Sequence, residues 1–307
     1  MNTINWGIIG CGKVCEKKAG PALYGVEHSR LVAVMRRDGA MAADFARRHE
    51  VPRWYDRIED LLADDEVNAI YVATPDAAHH ACTLAALAAG KPVLVEKAMA
   101  SNTAECDEMI EAAANRGVVL AVAYYRRAYP SIMRARALID EGAIGRVCEI
   151  HINDEFPLSH RLDLCHFFCG DAAAVSATDG PLPPCSHAPS GAMLTVRHES
   201  EAICHTPVGW KENLVAETLD IRGERGRIVI HDLKQGVMVI ERDGEKPQRE
   251  TPGPLPATHW GLVDNFVRHL RDGTPLVCDG VEGRKSTVIL DIVERIGADG
   301  REVAVQY

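Results

Sequence analysis

The first 122 residues alternate between short apolar runs and helical patterns, and this alternation constrains the fold more than any other feature. The apolar runs lie at 4–9, 31–35, 69–73, 93–95 and 118–122. They lack the polar alternation of half-exposed strands, as is typical of parallel strands covered on both faces. Helical segments separate them, and one begins at Asn102 with Glu105 three residues later, as in a capping box. The alternation predicts a doubly wound parallel sheet, an α/β fold.

The pattern changes after about residue 123. A helix at 132–140 is followed by a strand at 146–153, and two late helices are predicted near 258–271 and 281–296. Further strand candidates, joined by Gly, Pro and Asp turns, lie at 193–197, 202–205, 217–221, 227–231 and 237–241. This succession predicts an open, mostly antiparallel sheet, with a loop at 180–191. We therefore predict a dinucleotide-binding domain over 1–122 and a second α/β domain over 123–307.

Composition narrows the function classes. The chain of 307 residues has a formal net charge of −10 and a pI near 5.7, without a basic tract, which argues against nucleic-acid binding. No apolar stretch reaches the ~18–20 residues of a membrane span, and residues 1–5 do not resemble a secretory signal. Ten scattered cysteines are then expected to be reduced thiols in the cytoplasm.

One cysteine and histidine cluster raises the question of a metal. His160, Cys165, His166 and Cys169 lie close together, but zinc sites normally have a second CxxC-like pair, and none is present. On a helix, Cys165 and Cys169 share one face with apolar neighbours. Core packing is therefore favoured, and no metal is predicted.

A glycine-rich turn directly follows the first strand. Gly10 permits a tight turn, and Gly12 lets a pyrophosphate approach the backbone at a helix N-terminus. The third glycine position of such a motif holds Cys15, which predicts slightly looser packing of helix on strand. The alternative is a glycine-rich turn without a ligand. The predicted cofactor-binding residues of this turn are Gly10, Cys11, Gly12, Lys13 and Val14.

The residues at the end of the second strand indicate whether NAD or NADP is preferred. An NAD-preferring domain places a carboxylate there for the ribose 2′-hydroxyl, but this chain has Arg36 and Arg37. Either guanidinium can bind a 2′-phosphate, so NADP is favoured over NAD. The alternative is a pair of solvated arginines beside Asp38.

Two further groups follow predicted strands at the edge where ligands bind in such sheets. Thr74 and Pro75, with His79 nearby, follow the third strand, and Glu96 and Lys97 follow the fourth. The alternative for the second group is a surface ion pair of little energetic value.

Together these motifs resemble the Gfo/Idh/MocA family of NAD(P)-dependent oxidoreductases. The resemblance rests on the glycine turn, on Thr74-Pro75 with His79, on the segment from Gly90-Lys91 to Glu96-Lys97, and on Arg127 with Pro130. It continues through the turn at 141–146 and, weakly, to the C-terminus. Several motifs in order at fitting spacings make the resemblance strong.

The resemblance implies hydride transfer between a nicotinamide and a sugar, polyol or related carbonyl compound. It assigns a substrate-binding role to the second domain, whose open sheet is expected to form a homodimer or homotetramer. Lys97 matches the family lysine that binds or protonates the reacting oxygen, and an ammonium there stabilises a developing alkoxide. His160 is the expected proton-relay partner. Asp163, Tyr125 and Arg127 complete the substrate residues.

The chain departs from the family pattern at two places. Ala98 replaces the proline after the lysine, which predicts a trans peptide bond between Lys97 and Ala98. Phe156 occupies the position at which the family has an aspartate, and the segment before His160 is shorter than in the family. Either the chain is a shortened family member, or a segment is missing from the sequence there. In the shortened case Asp154 or Glu155 replaces the carboxylate. These departures leave two alternatives: a non-enzymatic NADP(H) sensor, or a lyase or hydrolase that uses bound NAD transiently.

Overall fold

The computed structural model describes residues 2–153, 157–179, 192–208, 217–296 and 299–307. The predicted loop at 180–191 and the predictions on Asp154, Glu155 and Phe156 lie outside these residues. The described residues form two compact units: Met1–Tyr125 with Pro256–Thr287, and Arg126–Leu255 with Val288–Tyr307.

Nine α-helices occur in the described part of the chain. They are α1 (Gly20–Gly25), α2 (Gly39–Arg48), α3 (Ile58–Leu62), α4 (His79–Ala88), α5 (Thr103–Arg116), α6 (Pro130–Asp140), α7 (Leu158–Cys169), α8 (Trp260–Asp272) and α9 (Gly280–Val293). Asn102 caps α5 as predicted, since its side chain accepts a hydrogen bond from the Glu105 amide. None of the described helices has the length and apolarity to cross a bilayer.

The first unit contains a six-stranded sheet. Its strands are β1 (Ile4–Ile9), β2 (Ser29–Met35), β3 (Arg53–Tyr55), β4 (Ala69–Val72), β5 (Val93–Val95) and β6 (Leu120–Val122). All pairs are parallel, and the order β3-β2-β1-β4-β5-β6 is that of a Rossmann sheet. The predicted doubly wound fold is confirmed. Strand β3 escaped prediction because its three residues, none fully buried, form no apolar run.

The first unit also includes a segment from late in the chain. In α8, Phe266 packs against Trp6 of β1 with 5.2 Å between ring centroids, and both side chains are fully buried. Residues 256–287 therefore belong with the parallel sheet, whereas the sequence pattern had assigned all of 123–307 to the second domain. The physical reason is that the apolar face of α8 matches a core whose other side chains come from the N-terminus.

The second unit contains a nine-stranded sheet. Its strands are β7 (Val147–Asn153), β8 (Ala172–Asp179), β9 (Ala192–His198), β10 (Ile203–Val208), β11 (Thr218–Gly223), β12 (Gly226–His231), β13 (Val237–Arg242), β14 (Gln248–Glu250) and β15 (Val303–Ala304). The order is β14-β13-β12-β11-β7-β10-β9-β8-β15, and among the described residues of this sheet only β7 and β10 pair in parallel. The predicted mostly antiparallel sheet is confirmed. Helix α7 packs against β7 and β10.

Candidate functional site

Four predicted groups meet at one edge of the parallel sheet. Strands β2, β1, β4 and β5 are consecutive neighbours, and their carboxyl ends point the same way. Arg36 follows β2, Gly10 follows β1, Thr74 follows β4 after one residue, and Lys97 follows β5 after one residue. Ligands bind at this edge in open parallel sheets. The fold thus brings the cofactor motifs of the first unit together.

The glycine turn leaves room for a ligand close to the backbone. Gly10 has φ +91°, and a Cβ there would lie 2.9 Å from the Ala73 carbonyl and the Thr74 methyl group, so only glycine fits. At Gly12, a Cβ would meet nothing nearer than the Gly10 carbonyl oxygen at 3.8 Å. The open space at Gly12 fits a pyrophosphate held against main-chain amides.

The segment after the turn differs from the single helix that the motif predicts. Lys13 is exposed, Val14 is half-buried, and Cys15–Ala19 form a π-helical turn before α1 begins at Gly20. The wide turn brings the Cys15 carbonyl oxygen within 2.2 Å of where a Cβ of residue 20 would lie, so Gly20 is required. Burial raises the pKa of Cys15 to about 12, and the thiol remains neutral. A buried thiol in the third glycine position is thus accommodated by a wider turn.

A cleft of about 1060 Å³ lies along this edge. Its lining includes Gly10, Cys11, Gly12, Arg36, Arg37, Asp38, Arg57, Thr74 and Pro75. The two arginines after β2 differ: Arg36 donates a hydrogen bond from Nη1 to the Cys11 carbonyl oxygen at 3.2 Å, whereas Arg37 is exposed. Asp38 accepts a hydrogen bond from the Met41 amide and caps α2. The volume of the cleft, the glycine turn in its lining and the two arginines after β2 are compatible with a bound dinucleotide.

His79 connects two of the turns that form the site. Its ring is fully buried, with Nε2 2.9 Å from the Thr74 carbonyl oxygen and Nδ1 2.8 Å from the Ala98 carbonyl oxygen. His79 therefore ties the end of β4 to the turn after β5, and it is absent from the cleft lining. The peptide bond between Lys97 and Ala98 is cis, so the predicted trans bond is wrong.

Glu96 is the centre of a buried polar network. Its Oε1 accepts hydrogen bonds from the Tyr71 hydroxyl and from His259 Nε2, the latter at 2.9 Å. Burial raises the pKa of this carboxyl, but the hydrogen bond and charge of His259, with the hydrogen bond from Tyr71, hold it lowered to about 2. Glu96 is therefore a buried, permanent carboxylate. The alternative of a surface ion pair is wrong for Glu96.

Lys97 adjoins this carboxylate. Its backbone amide lies 3.3 Å from Glu96 Oε2, its side chain is half-buried, and its charge contributes to the low pKa of Glu96. Within the residues that the structure describes, its ammonium has no hydrogen-bond or ion-pair partner. An ammonium held in this way is available to an incoming oxygen atom.

The remaining predicted residues are buried. Tyr125, in the first unit, stacks at a tilt on His259 with 4.4 Å between ring centroids. In the second unit, Arg127 and Asp163 pair with each other at 2.8 Å, and both are at most 2% exposed. His160 lies in the first turn of α7, where its amide donates to the Pro157 carbonyl oxygen, and its side chain is 1% exposed. The structure thus uses Arg127 and Asp163 in one buried ion pair.

Three residues of the candidate site could not be predicted from the local sequence. Tyr71 lies inside a buried strand, where an aromatic residue suits core packing. His259 is 163 residues away from Glu96 along the chain. Arg57 follows β3, the strand that had escaped prediction. A tyrosine next to a strand-end glutamate on a neighbouring strand was the one clue available, and it required knowledge of the strand order.

Comparisons with known proteins agree with this geometry. The Gfo/Idh/MocA family model, described as an oxidoreductase family with an NAD-binding Rossmann fold, matches residues 4–124. An oxidoreductase of Formosa agariphila is 45% identical over 149 residues, which are 48% of this chain and 46% of that protein. The trans-1,2-dihydrobenzene-1,2-diol dehydrogenase of Macaca fuscata fuscata is 36% identical over 144 residues, 46% of this chain and 43% of that protein. Each match spans less than half of the relative's length.

A solved structure matches over nearly the whole chain. The crystal structure of an oxidoreductase from Agrobacterium radiobacter, in complex with NAD+, L-tartaric acid and magnesium, has a TM-score of 0.86 and 19% identity, and the match covers 98% of both chains. At this identity the likeness concerns the fold, which includes the second sheet. The family match, the glycine turn and the strand order all lie in the first unit. Residues 4–124 thus resemble the Rossmann domain of the Gfo/Idh/MocA family of oxidoreductases.

Proposed function

We propose that this protein is an NADP-preferring oxidoreductase that transfers a hydride between the nicotinamide and a sugar, polyol or related carbonyl compound. The observation that carries the proposal is Lys97, whose ammonium has no partner among the described residues and which adjoins the buried carboxylate of Glu96. When bound, the cofactor supplies or accepts the hydride. Lys97 then holds the reacting oxygen and stabilises the charge that develops on it.

The support for the substrate class comes from related proteins. One relative is named for a trans-1,2-diol, and the fold neighbour holds L-tartaric acid. Both compounds carry hydroxyl groups on adjacent carbons, one of which is the group that a dehydrogenase oxidises. His160 is proposed to relay the proton, and the buried Arg127–Asp163 pair holds α7 in place.

The test is Lys97→Met with Lys17→Met as control, since Lys17 is exposed in the π-helical turn and does not follow a strand of the parallel sheet. We expect Lys97→Met to bind NADPH within about twofold of wild type and to lose about 10²–10⁴ in turnover across a panel of polyols and ketosugars. Unchanged turnover would contradict the role of Lys97. Cofactor binding without any reduction by wild type would favour a sensor, and turnover without net cofactor consumption would favour a lyase or hydrolase.

The preference for NADP is supported by Arg37. Because Arg36 is hydrogen-bonded to the glycine turn, Arg37 is the arginine after β2 that remains exposed in the cleft. We expect wild type to bind NADPH more tightly than NADH by roughly tenfold or more, the value of a charge-assisted hydrogen bond. Arg37→Ala should abolish that difference, whereas Arg30→Ala, an exposed arginine at the other end of β2, should not. Tighter binding of NADH by wild type would assign the ribose to Asp38.

Self-association through the second sheet is also proposed. Met193 of β9 and Ile203 of β10 lie on the face opposite the buried side chains and are 43% and 36% exposed. Light scattering should report a dimer or tetramer, and Met193→Lys should reduce its size. A wild-type monomer at micromolar concentration would contradict the proposal. The cytoplasmic location stays a prediction.

A further inference from the structure

A cluster of thiols and one imidazole lies in the second unit, apart from all the groups described above. Cys165 and Cys169 stand four residues apart on one face of α7. His198 ends β9, and Cys204 lies near the start of β10, the next strand of the same hairpin. Their exposed fractions are 0% for Cys165, 7% for Cys169, and 1% for both His198 and Cys204.

The ligand atoms are close enough to share one ion. The sulfur atoms of Cys165 and Cys204 and a ring nitrogen of His198 all lie within 4.8 Å of one another. Cys169 Sγ lies 3.7 Å from Cys204 Sγ. In a tetrahedral zinc site with Zn–S bonds of about 2.3 Å, sulfur atoms are separated by about 3.8 Å. Cys169 is not one of the three residues whose ligand atoms all lie within 4.8 Å, so its side chain would have to rotate to become the fourth ligand.

His198 is oriented as a ligand. Its Nδ1 lies 2.8 Å from the Gly170 carbonyl oxygen, so Nδ1 carries the proton and Nε2 keeps its lone pair. Nε2 is buried and has no hydrogen-bond partner among the described residues. A carbonyl that fixes the tautomer through the second nitrogen is the usual arrangement around metal-bound histidines.

We propose that Cys165, Cys169, His198 and Cys204 form a structural zinc site. Three thiolates and an imidazole are a ligand set that zinc prefers, and the four buried ligands leave no position for a reacting molecule. The site would join the end of α7 to the β9–β10 hairpin. Two other contacts already hold this junction: Ser200 Oγ donates to the Cys169 carbonyl oxygen at 2.9 Å, and the Glu199 amide donates to the Asp171 carbonyl oxygen.

The core-packing interpretation of Cys165 and Cys169 considered one helix alone. The second pair of ligands comes from strands more than 25 residues further along the chain, so no short motif revealed it. If the proposed function is right, a zinc ion at the C-terminal end of α7 would also steady the helix that carries His160 and Asp163.

The experiment uses the full chain, produced with added zinc and purified under reducing conditions. Elemental mass spectrometry is expected to find about one zinc per chain, and cobalt(II) exchange should produce the thiolate-to-cobalt charge-transfer band of a tetrahedral site. Cys165→Ser and Cys204→Ser should lower the zinc affinity by more than roughly a hundredfold. Even the mutation of a residue that only hydrogen-bonds to a metal ligand lowers metal affinity by about 10–100-fold. Cys148→Ser is the matched control, because Cys148 lies on β7 outside the cluster.

A second readout remains if the serine variants fail to fold. Wild-type protein is alkylated with and without zinc, and peptide mass spectrometry identifies the protected thiols, which should be Cys165, Cys169 and Cys204. Absence of both zinc and the cobalt band in reduced wild-type protein would overturn the proposal. So would equal protection of all cysteines, stoichiometric binding of copper or iron in place of zinc, or retention of zinc by Cys204→Ser.

Discussion

His259 illustrates how a single residue sets the chemistry of the candidate site. Glu96 would be protonated or destabilising if it were buried alone, because an unpaired charge is costly in a protein interior. His259 and Tyr71 donate to the same carboxylate oxygen and keep it charged. Lys97 therefore has a charged carboxylate beside it.

We predict that His259→Leu lowers the free energy of unfolding at about pH 7 by roughly 3–5 kcal/mol, the cost of leaving a buried charge unpaired. Because the pKa of Glu96 is lowered on folding to about 2, its contribution to stability is complete above the unfolded value of about 4.5. That contribution is lost as the pH falls from about 4.5 to about 2. The free energies of unfolding of wild type and His259→Leu should therefore converge in that range. Urea unfolding, followed by fluorescence at several pH values, measures this.

The control is His80→Leu. His80 pairs with Glu108 at 2.8 Å on the surface, where such pairs are worth about 0–1 kcal/mol. A loss in His259→Leu no larger than that in His80→Leu would show that the buried network does not stabilise the fold.

At the scale of elements, local signals placed most helices and strands. The predicted strands β1 and β5 agree with the structure to the residue, and β2, β4 and β6 agree to within two residues. Strand β8 was missed because its alanine-rich sequence lacks both the apolar bulk and the alternation that mark a strand. The π-helical turn at Cys15–Ala19 was missed because nothing in a short sequence distinguishes it from a helix.

The cap of α5 supports a prediction at this scale. Asn102 Oδ1 accepts from the Glu105 amide at 3.0 Å, and Glu105 in return accepts from the Ser101 amide at 3.0 Å. We expect Asn102→Ala to lower the free energy of unfolding by about 1 kcal/mol, because one amide at the helix start loses its partner. Asn102→Ser keeps an acceptor and should cost less. Equal losses in chemical denaturation of the two variants would argue against the cap.

At the scale of the whole molecule, the first unit is assembled from two distant segments of the chain. Helix α8 supplies Phe266 to the core around Trp6 and follows directly on His259, the partner of Glu96. The spacing of apolar residues along α8 predicted a helix correctly, but that spacing indicates only which face of the helix is buried. It does not say against which sheet that face packs.

We therefore expect Phe266→Ala to lower the free energy of unfolding by roughly 3–5 kcal/mol through the cavity beside Trp6. Tyr24→Ala is the matched aromatic control, because Tyr24 is 49% exposed and its truncation should cost little. Denaturant titration of the full chain measures both. A small loss in Phe266→Ala would mean that α8 is not part of the core of the first unit.

The sequence by itself determined the class of both sheets, the glycine turn, the family resemblance and the position of Lys97 at a strand end. These features are local, because apolar periodicity and glycine positions are set by neighbouring residues. Tertiary structure alone decided the partners of Glu96, the membership of residues 256–287 and the grouping of Cys165 with His198 and Cys204. Each of these depends on contacts between residues far apart in the chain, and a buried charge or thiol takes its properties from whichever side chains the fold brings to it.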